Sequence, residues 1–229
     1  MPASTSPADF GDPVYKAAVV DLLAAVGYGE ISAFERLVED AGEAPSLADK
    51  VQMDAMATAQ FAKVEPIHQY LAGLGVDMYE AMTPLREPID AFHEHIAPAD
   101  WYESLVKAYV GDGLANDFYR EIAGFLDEKT RDLVVSTLED SGRAAFIAEH
   151  IRAGIAADHK LAGRLALWGR RVMGEAFIQA QRVSAERDAV AEMLTGGYLP
   201  GFDLTAVGEM IARIQARHVA RMAELGLAH

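Results

Sequence analysis

The chain has 229 residues, about half of them apolar, and 35 acidic against 20 basic side chains give a formal net charge of -15. This acidic balance repels phosphate backbones and argues against strong nucleic-acid binding. The absence of cysteine excludes disulfides and thiolate metal sites and fits a cytoplasmic location. No stretch approaches the roughly 18 consecutive apolar residues of a membrane span, so no membrane association is expected. Met1–Phe10 has neither the basic nor the apolar region of a signal peptide. The apolar residues are rich in Ala, Leu and Met rather than β-branched types, which favours helix over sheet.

Residues 1–12 read as a flexible tail, and 13–229 as one helical domain. Asp12-Pro13 is a helix start, with Asp as N-cap and Pro in the first turn. The first helix runs to about Ala41, and Gly42–Ser46 stops it. A second helix covers about Leu47 to Leu74, with Pro66 expected to bend it. Between Gly75 and Ala99 the prolines Pro84, Pro88 and Pro98 suggest a long crossover of two short helical pieces. A third helix spans about Asp100 to Leu126. A tight turn at Asp127-Glu128 leads to a fourth, from about Glu128 to Ala156. The fifth extends from about Leu161 to Leu194. The segment 195–201 is a loop, and a sixth helix covers about Leu204 to Leu225. Two antiparallel hairpins joined by one crossover make an all-α, ferritin-like four-helix bundle, with a core over about 13–156. The two further helices, at about 161–225, cover one side or form a dimer contact, and a homodimer is the default assembly.

In a bundle core the informative residues are the charged ones on inward stripes. Glu30 lies on the first helix, Asp112 on the third and Asp140 on the fourth, with Arg143 at the edge of the fourth stripe. On the second helix the inward stripe passes through Gln60 and Lys63. Counting about 1.5 Å per residue from each interhelical turn, Glu30, Gln60, Asp112, Asp140 and Arg143 fall at one level, with Lys63 a turn away. Three acids at one height suggest a shared site or its remnant, and hydrogen-bonded core acids are the plain alternative. The pair Glu65-x-x-His68 has the spacing of a metal-ligand pair, but it shares a face with Asp54, Thr58 and Gln69, a mostly polar set. A register shift at Pro66 would turn it inward. His93 and His95, flanking Glu94, are expected at the surface, and His218 as a core histidine. Glu175 is expected to pair with Arg171 or Arg182.

The stretches Gly27-Tyr28-Gly29-Glu30 with Ser32-Ala33-Phe34, Leu105–Gly113, and Arg164–Arg187 with its Leu165-Ala166-Leu167-Trp168 resemble actinobacterial ferritin-like proteins, a branch similar to the MiaE-type tRNA hydroxylases. In those enzymes, a carboxylate on one helix and a carboxylate-x-x-His pair on the next, repeated in both hairpins, hold two irons that activate oxygen. On this resemblance Glu30, Asp112 and Asp140 stand at carboxylate positions. Gln60-x-x-Lys63 and Asp140-x-x-Arg143 stand where the pairs belong, each without its histidine. The resemblance therefore implies a degenerate di-iron site with no metal, closed by Lys63 and Arg143, in a protein of binding or assembly role. The alternative is a non-haem di-iron oxygenase using two iron ions on Glu30, Glu65, His68, Asp112 and Asp140. Whether the chain is an enzyme, and on which substrate, stays open at this level.

Overall fold

The computed structural model of the chain describes residues 10–140, 142–186 and 204–228. Regular structure among the described residues is entirely helical. Helix α1, Pro13–Gly42, starts where Asp12 accepts a hydrogen bond from the Val14 N–H at 2.9 Å. Of the expected tail, residues 1–9 lie outside the described residues, while Phe10 already packs its ring edge-on against Tyr15.

The expected second helix is two helices, α2 (Leu47–Phe61) and α3 (Val64–Gly73). The break falls at Ala62-Lys63, one turn ahead of Pro66. Proline has no N–H for the carbonyl four residues back, and its ring clashes with that carbonyl, here that of Ala62. Both helices run back along α1, and the Lys16 ammonium donates to the Leu74 carbonyl at 3.0 Å where they end.

The crossover is a single helix, α4 (Met78–His95), with Pro84 and Pro88 inside it, not two pieces. Pro84 is exposed, while Met78, Met82 and Leu85 are buried. The hydrogen bonds that proline cancels therefore lie away from the packed face, where water can serve the freed carbonyls. The packed face settles against α1 at Gly27, where an added Cβ would already touch Met82 Sδ at 3.5 Å.

Helix α5 (Trp101–Ala123) begins at the N-cap Asp100. It runs antiparallel to α1: the Tyr15 hydroxyl, at the start of α1, donates to Asp127 just past the end of α5 at 2.8 Å. The expected fourth helix is again two, α6 (Glu128–Thr137) and α7 (Arg143–Ala157). Gly142, at φ +88°, turns the chain into α7 through the left-handed region that side-chain-bearing residues avoid.

Helix α8 (Lys160–Glu186) packs on α4 and α5. The guanidinium of Arg164 grips Asp100 at 2.6 Å and Glu103 at 2.5 Å, and the Trp168 indole donates to the Glu103 carbonyl at 2.8 Å. The end of the expected fifth helix and the loop at 195–201 lie outside the described residues. The last helix, α9 (Leu204–Glu224), lies antiparallel along α5. Its Arg221 reaches the buried Asp117 at 2.5 Å, and Arg213 and Arg217 reach Glu121 at 2.8 and 2.7 Å. Gly113 makes this approach feasible, since a Cβ there would stand 2.6 Å from Arg221 Cδ.

The sequence holds no run of about 18 consecutive apolar residues, yet length and mean hydropathy single out one helix. Helix α1 has the length and apolar character of a membrane span, with mean hydropathy 1.5 over its best stretch, half of which is buried inside the bundle. Its apolar sides are taken up by α2, α3, α4, α5 and α6, all of which pack against it. A helix surrounded by partners is apolar nearly all round in a water-soluble bundle too.

Candidate functional site

The buried apolar side chains separate into two clusters. The lower one holds Val19, Leu23 and Val26 of α1, Ile67 of α3, Ile122 of α5 and Val134 of α6. The upper one holds Leu37 of α1, Met56 and Ala57 of α2, Leu105 and Val110 of α5, and Ile147 of α7. Glu30 lies between Val26 and Leu37, Gln60 and Lys63 between Ala57 and Val64, and Arg143 between Val134 and Phe146. Both unexpected helix breaks, at residues 62–63 and 138–142, fall at this same polar level. Broken helices leave backbone groups without intrahelical partners, so a polar layer is the natural height for them.

Within the layer Arg143 Nη2 stands 2.5 Å from Asp112 Oδ2. The Gln60 amide donates to the Glu30 carboxyl. Glu30 and Gln60 are both 6% exposed. Burial pushes the Glu30 carboxyl up to about 7, opposed by the charges of Lys63 and Arg143 and reinforced by Asp112. The Asp112 carboxyl is raised by burial and drawn back by Arg143 and Lys63. The Tyr119 phenol is raised by burial and then by the charges of Glu30 and Asp112. The layer thus sets two carboxyls against two cations, with an amide and a phenol beside them.

Asp140 is the residue that the sequence misplaced. It is exposed, outside both helices, and its carboxylate accepts from the Arg143 N–H at 3.0 Å, serving the first turn of α7. Its charge still reaches Asp112. The run Glu139-Asp140-Ser141-Gly142 carried the warning, since clustered turn formers end a helix. Glu65 and His68 lie on the outside of α3, with side chains 64% and 39% exposed, and pair with each other at 3.5 Å. They do not meet Glu30, so the alternative set Glu30, Glu65, His68, Asp112 and Asp140 is not brought together.

The donors of the layer do not fit a two-iron centre. No imidazole belongs to it, and the protonated groups of Lys63 and Arg143 have no lone pair to give a metal and would repel one. Among the described residues, no three His, Cys, Asp or Glu side chains gather as a metal-ligand set.

Residues 13–197 match a family described as "Ferritin-like domain, actinomycetes". The chain belongs to this ferritin-like family. The match covers both hairpins, the crossover and α8, and α9 lies beyond it. No curated protein matches the chain.

This ferritin-like chain carries a second buried polar cluster that its sequence did not announce. Lys107 on α5 is 7% exposed, and its ammonium donates to the His93 carbonyl at 3.3 Å. Burial lowers Lys107 to about 8 and raises Asp40, which bonds Ser104, to about 6. His93 is half-buried rather than at the surface, and burial followed by the charges of Lys107 and Arg36 drops it to about 3. Its neighbour His95 is exposed and pairs with Glu175 at 2.8 Å. Glu175 therefore answers to His95 and Gln179, with Arg171 acting on it only through charge. His218 is buried at 2% exposure, as a core histidine should be. The sequence carried only half of the signal: Glu103 and Lys107 share a face of α5 with the apolar Val106 and Val110, while nothing local pointed to Asp40 or His93 as the partners.

Proposed function

We propose that this ferritin-like domain keeps its central site closed with ion pairs in place of iron, and that its role is binding or assembly rather than oxygen chemistry. The observation that carries this reading is the 2.5 Å contact of Arg143 with Asp112, at the level where the other hairpin presents Glu30, Gln60 and Lys63. Kinship with the MiaE-type branch rests on the sequence stretches around Glu30 and Asp112. A substrate such as tRNA sits badly with the net charge of -15. The test is the metal content of protein expressed in iron-rich medium, read by elemental analysis. The expected result is no stoichiometric iron. Two irons per chain would overturn the reading in favour of the di-iron oxygenase.

Assembly as a homodimer is the second part of the proposal. Leu167 and Ile178 on α8 are 65% and 52% exposed. They lie 11 residues apart, so helical geometry sets them on one face, and symmetric dimers are the commonest way to cover such a face. Sedimentation at micromolar concentration is expected to give a dimer, and a monomer there would count against it.

A further inference from the structure

Helix α2 packs inward through Met53, Met56 and Ala57, and its outer side carries a second apolar stripe. Leu47, Val51, Asp54, Thr58 and Phe61 follow one another at alternating steps of four and three, the spacing that keeps one seam of a helix facing a partner helix. Leu47 is 76% exposed, Val51 59% and Phe61 50%. The Phe61 ring lies 5.1 Å from that of Phe34 on α1, which continues the patch onto the neighbouring helix. Val38, one turn beyond Phe34, is exposed as well. Leu47, Val51, Phe61 and Val38 together present on the order of 400 Å² of apolar surface, the scale at which a patch marks a contact site. That is about half of what each partner buries in a standard interface, so the contact it supports is a weak one.

The charges of the face define what covers it. Between Leu47 and Phe61 only Asp49, Lys50 and Asp54 are charged. Asp49 is turned toward α7, where His150 Nε2 lies 3.0 Å away. Lys50 and Asp54 pair with each other at 3.3 Å. The stripe therefore has no net charge, on a chain whose net charge of -15 drives copies apart elsewhere. It is also its own complement. When two α2 helices pair antiparallel about a two-fold axis at Asp54, Leu47 falls opposite Phe61 of the second copy and Val51 beside its Thr58. Each Asp54 then comes within reach of the other copy's Lys50. Thr58 already gives its hydroxyl to the Asp54 carbonyl at 2.9 Å, so burying it strands no donor. We propose that the outer face of α2 is a two-fold contact with a second copy of this chain. The contact rests on the assembly reading proposed for this domain: α8 makes the dimer, and α2 joins dimers at higher concentration.

The experiment is sedimentation of the full chain from micromolar to near-millimolar concentration. The mass is expected to rise beyond the dimer as concentration increases, and no rise would overturn the proposal. Val51→Glu and Leu47→Glu should each weaken this further association roughly tenfold or more, because a two-fold contact meets every substitution twice. Leu47→Glu also places an acid in the first turn of α2, where the helix dipole favours it, so its loss is not a loss of fold. Undiminished association in both variants would overturn the site. Lys50→Glu leaves only carboxylates at the axis and Asp54→Lys only cations, so each variant alone should fail to associate further. Their equimolar mixture should recover association, and a mixture that does not recover would overturn the antiparallel pairing. Leu167→Glu separates the two faces: it should give monomers at micromolar and dimers at near-millimolar concentration. A micromolar dimer that survives Leu167→Glu and splits in Val51→Glu would overturn the α8 contact while supporting this one.

Discussion

Arg143→Met should be among the most damaging single changes in the molecule, at about 3 kcal/mol, the lower end of what breaking a buried pair costs. Arg143 is 11% exposed at its side chain and Asp112 is 28% exposed, so water softens the loss without removing it. Methionine fills much of the space of the arginine stem but leaves the Asp112 carboxylate with only Lys63 to oppose its charge. The cost comes from the abandoned carboxylate rather than from the lost attraction. Asp112→Asn combined with Arg143→Met removes both charges and should recover most of the loss, since replacing both partners is often close to neutral. Urea unfolding of the two single variants and the double variant reads this as a coupling energy. If the losses of the single variants simply add in the double, the pair is not coupled and the layer is not held by it.

The general plan was legible because it depends on features that a sequence carries locally. Asp12-Pro13 and Asp100 mark helix starts by capping chemistry, and the level of Glu30, Gln60, Asp112 and Arg143 follows from a fixed rise per residue. The expectations failed where the outcome depends on which side of a helix meets water. Pro84 and Pro88 read as breakers, but the face of α4 that packs on α1 is the one carrying Met78, Met82 and Leu85. Asp140 read as an inward acid because periodicity was carried through Gly142, whose positive φ ends the register. The Lys107 cluster and the arginine ladder from α9 to Asp117 and Glu121 needed the tertiary arrangement. Each pairs residues from helices far apart in the chain, which no local pattern connects. The turn that α3 makes at Lys63 follows from Pro66, yet its position one turn upstream follows from the carbonyl that proline rejects.

Glu30→Gln should stabilise the protein above neutral pH and change little in acid. The carboxyl has an ordinary value of 4.5 and stands at about 7 in the folded chain. Below 4.5 it is protonated in both states and contributes no difference. Between these values the folded state keeps a proton that the unfolded chain has released, so stability falls as pH rises through the window. Above about 7 the penalty of burying the ionised group is complete, up to about 3 kcal/mol at 1.36 kcal/mol per unit. Glutamine is neutral throughout and can still accept from the Gln60 amide that now serves Glu30. The groups facing Glu30 are Lys63, Asp112, Arg143 and Tyr119. Of these, Asp112 also has a raised carboxyl, so the two acids titrate as a coupled pair and the window broadens without changing sign. Urea midpoints of both proteins at about pH 5 and about pH 8 give the answer. They should nearly coincide at the lower pH, with the variant clearly higher at the upper. A variant less stable than the parent at the upper pH would mean that Lys63 and Arg143 hold Glu30 ionised with a net gain. The layer would then be a closed ion-pair network with two full negative charges, instead of one shared between a neutral acid and the Asp112–Arg143 pair.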